Sequence, residues 1–232
     1  MYRKMFVIAV LILSNLFLVA NPSKILVLCP FPARSHSYPF LKVIESLLKK
    51  GHQVTSLGYL HQNRSSTNHV HINIINPESA YVSVVDITSF SGSRYQKWFD
   101  MIILKKYSEL ICGKIFSLQP VRQFLKRNNT FDVIVAPSFC SDCFLSFKHK
   151  FNAPAVGIMT HSLTYWISEK FQNPQHPAYI PNHCLDHVNQ MSFWARTENL
   201  LVGLCQSFSY KYFLASIGEK TAKEYLVKIC HL

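Results

Sequence analysis

His36 is the residue from which chemistry can be argued first. It follows a short apolar run, and a neutral imidazole at the end of such a run can take a proton from a substrate hydroxyl. The plainer role for a loop histidine is a solvated or capping side chain. Asp142 lies just beyond a second apolar run, where a carboxylate can orient a histidine and stabilise its imidazolium form. Asp is also a good helix N-cap, and the local sequence by itself favours that role. Cys140 and Cys143 have the spacing of a redox pair and raise a thioredoxin-like oxidoreductase as a separate hypothesis. His183 and His187 have the spacing of half a zinc site, but no further ligand pair stands at a suitable distance. The chain has no G-x-G-x-x-G, P-loop or G-x-S-x-G segment. Its 12 carboxylates are ungrouped, which argues against a two-carboxylate glycosidase.

The elements that must position these residues alternate. Residues 24–29 form a nearly continuous apolar run, as in a strand covered on both faces of a parallel sheet. Residues 30–36 read as a loop and 38–50 as a helix, with Phe40, Leu41, Ile44, Leu47 and Leu48 at helical spacing. Gly51 sits where a left-handed C′ cap belongs, just after Lys49 and Lys50. Strands are expected at 53–57, 71–75, 131–136 and 154–159, and helices over 94–127, broken near Pro120, and 141–151. The fold class is therefore α/β: a Rossmann-like, doubly wound parallel sheet. Residues 172–188 form a long loop, a kind that is usually functional or disordered. A long helix follows. Its repeat of Met191, Trp194, Leu201, Cys205, Phe208, Tyr212 and Ala215 reads as a core-facing stripe, with a membrane- or partner-facing stripe as the alternative.

Arg3 and Lys4 precede an apolar stretch over 5–19 that ends at Ala20, the pattern of a cleaved signal peptide over 1–20. Residues 21–232 then form one domain. The 49% apolar and 16% charged residues suit a globular core. The formal charge of +12 is spread over single or paired basic residues, which argues against nucleic acid as a partner. The seven cysteines are odd in number and several stand in apolar runs, so most read as buried thiols. Sequons at Asn63 and Asn128 agree with a lumenal chain.

Five stretches, in order, carry a resemblance. They are Lys24-Ile-Leu-Val-Leu-Cys-Pro-Phe-Pro-Ala-Arg-Ser-His36 with Gly51-His-Gln-Val-Thr55; Phe131-Asp-Val-Ile-Val-Ala136; Ser141-Asp-Cys-Phe-Leu145 with Lys150-Phe-Asn-Ala-Pro154; Pro177-Ala-Tyr-Ile-Pro-Asn182; and Met191-Ser-Phe-Trp194. From about residue 22 to about 215 the chain resembles the N-terminal, acceptor-binding half of UDP-glycosyltransferases, in particular the insect UDP-glucuronosyltransferase-like branch. The resemblance implies half of a GT-B enzyme in the lumen of the endoplasmic reticulum, membrane-associated in its full-length relatives. Such an enzyme transfers a sugar from a UDP-sugar to a small lipophilic acceptor, with inversion. His36 matches the family's catalytic base. Pro137 stands where an acidic residue often stands in the family, and Asp142 matches the Ser-Asp-Cys-Phe pattern as its partner.

The resemblance places the acceptor against the 30–40 loop with Phe31, Arg34 and Ser35, the 86–98 region, and the 159–182 loop with His161. No cofactor is implied. The UDP-sugar is a co-substrate whose main site lies in a C-terminal domain that this stretch does not match, and transfer by residues 1–232 alone is not expected. The alternative is a non-catalytic module that binds lipophiles or associates with full-length relatives or a membrane.

Overall fold

The computed structural model describes residues 21–31, 33–59, 66–74, 96–139, 142–173, 175–188 and 190–230. The expected signal peptide, the Asn63 sequon, Cys140 and most of the 86–98 region lie outside them.

Five strands make one parallel sheet: β1 (Lys24–Cys29), β2 (Gln53–Gly58), β3 (His69–Asn73), β4 (Val133–Pro137) and β5 (Ala155–Ile158). Their order is β3-β2-β1-β4-β5. The chain winds outward from β1 to β3, then crosses back to β4 and continues to β5. That reversal puts a switch point between β1 and β4, where open parallel sheets leave a crevice at their carboxyl ends.

Alternation along β1 explains the three layers. Ile25, Val27 and Cys29 pack with Val54 and Val135 against Phe40 and Ile44 of helix α1 (Arg34–Lys49). Leu26 and Leu28 face the other way, with Leu57, Ile134 and Ala136. That second face is covered by α2 (Gln96–Ser117), α3 (Gln119–Lys126) and α4 (Ser146–Phe151), through Ile111, Ile115, Phe116, Val121, Phe124 and Phe147. From Ile25 onward both faces of β1 are dry, which is why its sequence there is apolar.

Helix α1 begins four residues earlier than expected. The Ala33 carbonyl accepts from the amides of His36 (3.2 Å) and Ser37 (3.0 Å), so His36 belongs to the first helical turn rather than to a loop. At the other end, the Gly51 amide donates to Leu48 O (3.0 Å) and the His52 amide to Leu47 O (3.1 Å). This is a Schellman closure, and Gly51 takes the positive φ of 85° that it needs.

Two expectations are corrected. Cys143, in a 3₁₀ turn over Asp142–Leu145, is disulfide-bonded to Cys112 of α2. Both are fully buried against Phe116, Phe144 and Phe147, so Cys143 is neither a free thiol nor the partner of Cys140. Cys29 and Cys205 carry no disulfide; the first is buried and the second exposed.

The second correction concerns α6 (Phe193–Ser209), which runs through one π-helical turn (Tyr210–Leu214) into α7 (Ala215–Cys230). Met191 is buried, but the rest of the aromatic stripe faces outward: Trp194 is 77% exposed, Leu201 54%, Phe208 58% and Tyr212 56%. The buried residues of α6 are Asn199, Val202, Gly203 and Gln206. The cause is polar. Asn199 Nδ2 donates to Pro177 O (2.7 Å) and Ile180 O (2.8 Å), and its Oδ1 accepts from the Asn182 amide (2.7 Å). Asn182 Nδ2 donates to Gln206 Oε1 (2.7 Å). The long 172–188 connection carries backbone groups that need partners, and the amide face of α6 supplies them.

A short helix, α5 (Tyr165–Lys170), precedes that connection and meets α6 closely. A Cβ on Gly203 would stand 2.8 Å from the Tyr165 ring. No helix among the described residues is long and apolar enough to cross a membrane.

Candidate functional site

The crevice between β1 and β4 is built mainly from aromatic rings. Phe31, just past β1, is 2% exposed and stacks on Tyr107 of α2, with ring centroids 6.3 Å apart. Its carbonyl accepts from the buried Ser37 hydroxyl at 2.9 Å, which fixes the turn that delivers His36. The same turn closes over Cys29, whose thiol burial pushes up to about 11, so it is unreactive at neutral pH.

His36 is half-buried against Phe31 (5.6 Å between centroids) and Phe139 (6.2 Å). Phe139 follows β4 and also meets Phe31 at 6.1 Å. On the far side of the sheet centre, His161 follows β5 and presents its ring edge-on to Phe139 at 4.5 Å. Phe139 therefore touches both imidazoles.

The electrostatics keep both rings neutral. Desolvation, followed by the charge His161 would carry, lowers the His36 pKa below its ordinary 6.5. Desolvation also lowers His161, partly offset by the carbonyl of Ser162, to which Nδ1 donates at 2.8 Å. With Nδ1 carrying the proton, His161 Nε2 holds a lone pair. That atom is buried and has no hydrogen-bond partner among the described residues. His36 Nδ1 lies 3.2 Å from the Ser35 hydroxyl. The site thus offers two neutral imidazoles against an apolar floor, which suits binding a hydroxyl on a lipophilic body and deprotonating it.

Of the other expected residues, Arg34 and Ser35 are exposed on the first turn of α1, at the rim. Asp142 is placed differently from the expectation. Its Oδ1 pairs with Lys170 Nζ at 2.8 Å, and its Oδ2 accepts from the Tyr210 hydroxyl, which itself accepts from Lys170 at 2.8 Å. No hydrogen bond or ion pair among the described residues joins Asp142 to His36, and the charge acting on His36 is that of His161. Pro137, the last residue of β4, pairs with Ile158 in the sheet.

Sequence reasoning missed three contributors, Phe139, Lys170 and Tyr210, and weighed His183 only as half a zinc site. Phe139 was findable, because it directly follows a strand at the carboxyl edge. His183 packs on Trp166 at 6.0 Å and is pushed down to about 4 by burial and by His161. Lys170 and Tyr210 gave no local signal, because their partner is distant in sequence. His187 Nε2 lies 3.2 Å from Glu198. Among the described residues no three potential ligands group as a metal site.

A family model for UDP-glucoronosyl and UDP-glucosyl transferases matches residues 23–229. The chain belongs to this family. It is similar to UDP-glucosyltransferase 2 of Dactylopius coccus, at 25% identity over 210 residues, which is 90% of this chain and 40% of that protein. It is also similar to UDP-glucuronosyltransferase 3A2 of Mus musculus, at 26% identity, covering 94% of this chain and 43% of the relative. The chain thus spans about two-fifths of the length of these relatives. Among solved structures, a glycotransferase of kitacinnamycin aligns over 88% of this chain and 43% of its own, with 14% identity and a TM-score of 0.43. Within the family match, the crevice holding His36 and His161 comes from segments on both sides of the switch point.

Proposed function

We propose that residues 21–232 form the acceptor-binding domain of a UDP-sugar-dependent glycosyltransferase, the N-terminal half of a GT-B enzyme, with His36 as general base. The observation that carries the reading is His36 itself: a neutral, half-buried imidazole at the carboxyl end of β1, on an aromatic floor, in a chain of this family. With Nδ1–H directed to Ser35, Nε2 takes the proton of the acceptor hydroxyl. The acceptor oxygen then bonds to the anomeric carbon, and UDP leaves with the electron pair of the broken bond. Attack opposite the leaving group inverts the anomeric centre.

In this reading the acceptor's apolar body lies on Phe31 and Phe139, and His161 Nε2 accepts a hydrogen bond from a donor on the acceptor. Arg34 and Ser35 form the rim. Asp142 acts as a support, holding Lys170 and Tyr210 against the turn after β4. The UDP-sugar is held mainly by a C-terminal domain, without which transfer is not expected. A cleaved leader and an oxidising lumen accord with the buried Cys112–Cys143 bond and with the exposed sequon at Asn128.

The test is a chimera in which this chain is completed by the C-terminal part of the Dactylopius coccus relative, assayed with UDP-glucose and a lipophilic phenol. His36→Ala should lower kcat/KM by about 10²-fold or more, the usual weight of a general base. Full activity in that variant would refute the assignment.

A further inference from the structure

The connection from α3 to β4 carries Asn128-Asn129-Thr130, an acceptor tripeptide for an N-linked glycan with no Pro at its centre. Helix α3 closes when the Arg127 amide donates to Phe124 O at 3.1 Å, and Arg127 then takes an extended backbone with φ −78° and ψ 143°. Residues 128–130 continue without helix or strand. The chain is fastened again at Phe131, whose ring lies 6.1 Å from Phe124 and 5.0 Å from Phe151. Next, the Asp132 amide donates to Lys24 O (2.8 Å), and Asp132 Oδ2 accepts from the Lys24 amide (2.7 Å). The tripeptide is therefore a short extended segment anchored at both ends.

Such tripeptides arise by chance, and three observations about its surroundings make this one a site. First, Asn128 and Thr130 are both exposed. Second, neither the Asn128 amide nor the Thr130 hydroxyl has a hydrogen-bond partner among the described residues. Asn182 and Asn199, whose amides do bond, are buried. Third, the segment stands at the amino end of β4, whereas His36, Phe139 and His161 gather at the carboxyl ends of the strands. A strand length of roughly 15 Å separates the two edges. A bulky, hydrated group on Asn128 would thus stand in solvent, clear of the crevice.

We propose that Asn128 carries an N-linked glycan in the mature chain. Its Nδ2 loses a proton and bonds to the anomeric carbon of an oligosaccharide held on a lipid pyrophosphate. The lipid pyrophosphate leaves with the electron pair of the broken bond. In this step the chain is the acceptor and not the catalyst. The modification rests on the lumenal placement proposed above and is independent of the role of His36.

Residues 1–232 are expressed in insect cells, and the chain is recovered from the medium and from the protease-protected microsomal lumen. Asn128 is then mapped by peptide mass spectrometry before and after enzymatic removal of N-glycans. Asn128 is expected to be modified. The gel shift it contributes should vanish in Asn128→Gln and in Thr130→Ala, and persist in Thr130→Ser, which keeps the hydroxyl. Both positions are exposed and unpartnered, so the variants keep the fold. An unmodified Asn128 in a secreted or protected chain whose leader has been cleaved overturns the site and leaves the lumenal placement standing. A chain that stays protease-sensitive, with residues 1–20 intact, overturns both.

Discussion

At the residue scale, the chemistry turns on which polar groups are committed elsewhere and which are left open. His36 was legible in the sequence because a histidine after a buried strand falls at the carboxyl edge of a parallel sheet, wherever the following helix begins. Asp142 was legible as a carboxylate on that edge, but its partners were not. Lys170 and Tyr210 reach it from α5 and the π-helical turn, and sequence periodicity says nothing about such contacts. The two roles for Asp142 separate experimentally. Asp142→Asn removes the charge facing Lys170 in a largely buried network, and a loss of about 2 kcal/mol in urea unfolding is expected. If Asp142 only supports the fold, the pH dependence of transfer by the completed chimera should stay where it was. A shifted pH profile with intact stability would make Asp142 the histidine's partner after all.

At the element scale, the centre of the sheet was readable because β1 and β4 are nearly continuous apolar runs, each followed by a helical pattern. Helix α5 escaped notice because six residues are too few to establish a period. The α6 stripe misled for a different reason. Periodicity reports that a helix has two faces, but not which one meets the core. Here the apolar face lost, because the 172–188 connection needs hydrogen-bond partners and Asn199 and Gln206 provide them. Asn199→Ala strips partners from Pro177 O, Ile180 O and the Asn182 amide at once. A destabilisation of about 3 kcal/mol is expected, together with faster amide exchange confined to 176–185. Uniform exchange across that segment before and after the change would mean that the amide network does not hold it.

At the scale of the whole molecule, a covalent tie joins α2 to the turn after β4. The Cys112–Cys143 bond closes a loop across a sequence separation of 31. Loop-closure entropy gives such a bond roughly 3–4 kcal/mol. Cys112→Ser should therefore lower the midpoint of thermal unfolding by several degrees, and an unchanged midpoint would show that packing alone fixes α2. The sequence showed both cysteines but not their pairing, since the nearby Cys140 was the obvious local partner and α2 is distant in the chain.

The central claim is that His36 is a neutral base in an acceptor site, and the pH dependence of kcat/KM in the completed chimera tests it most directly. A base must be unprotonated, and burial and His161 hold the His36 pKa below 6.5. The account predicts a plateau through neutral pH, with activity falling only as the pH drops below 6.5, and loss of that acid limb together with most of the activity in His36→Ala. A limb centred above 6.5, or one that persists in the active His36→Ala enzyme, would contradict it.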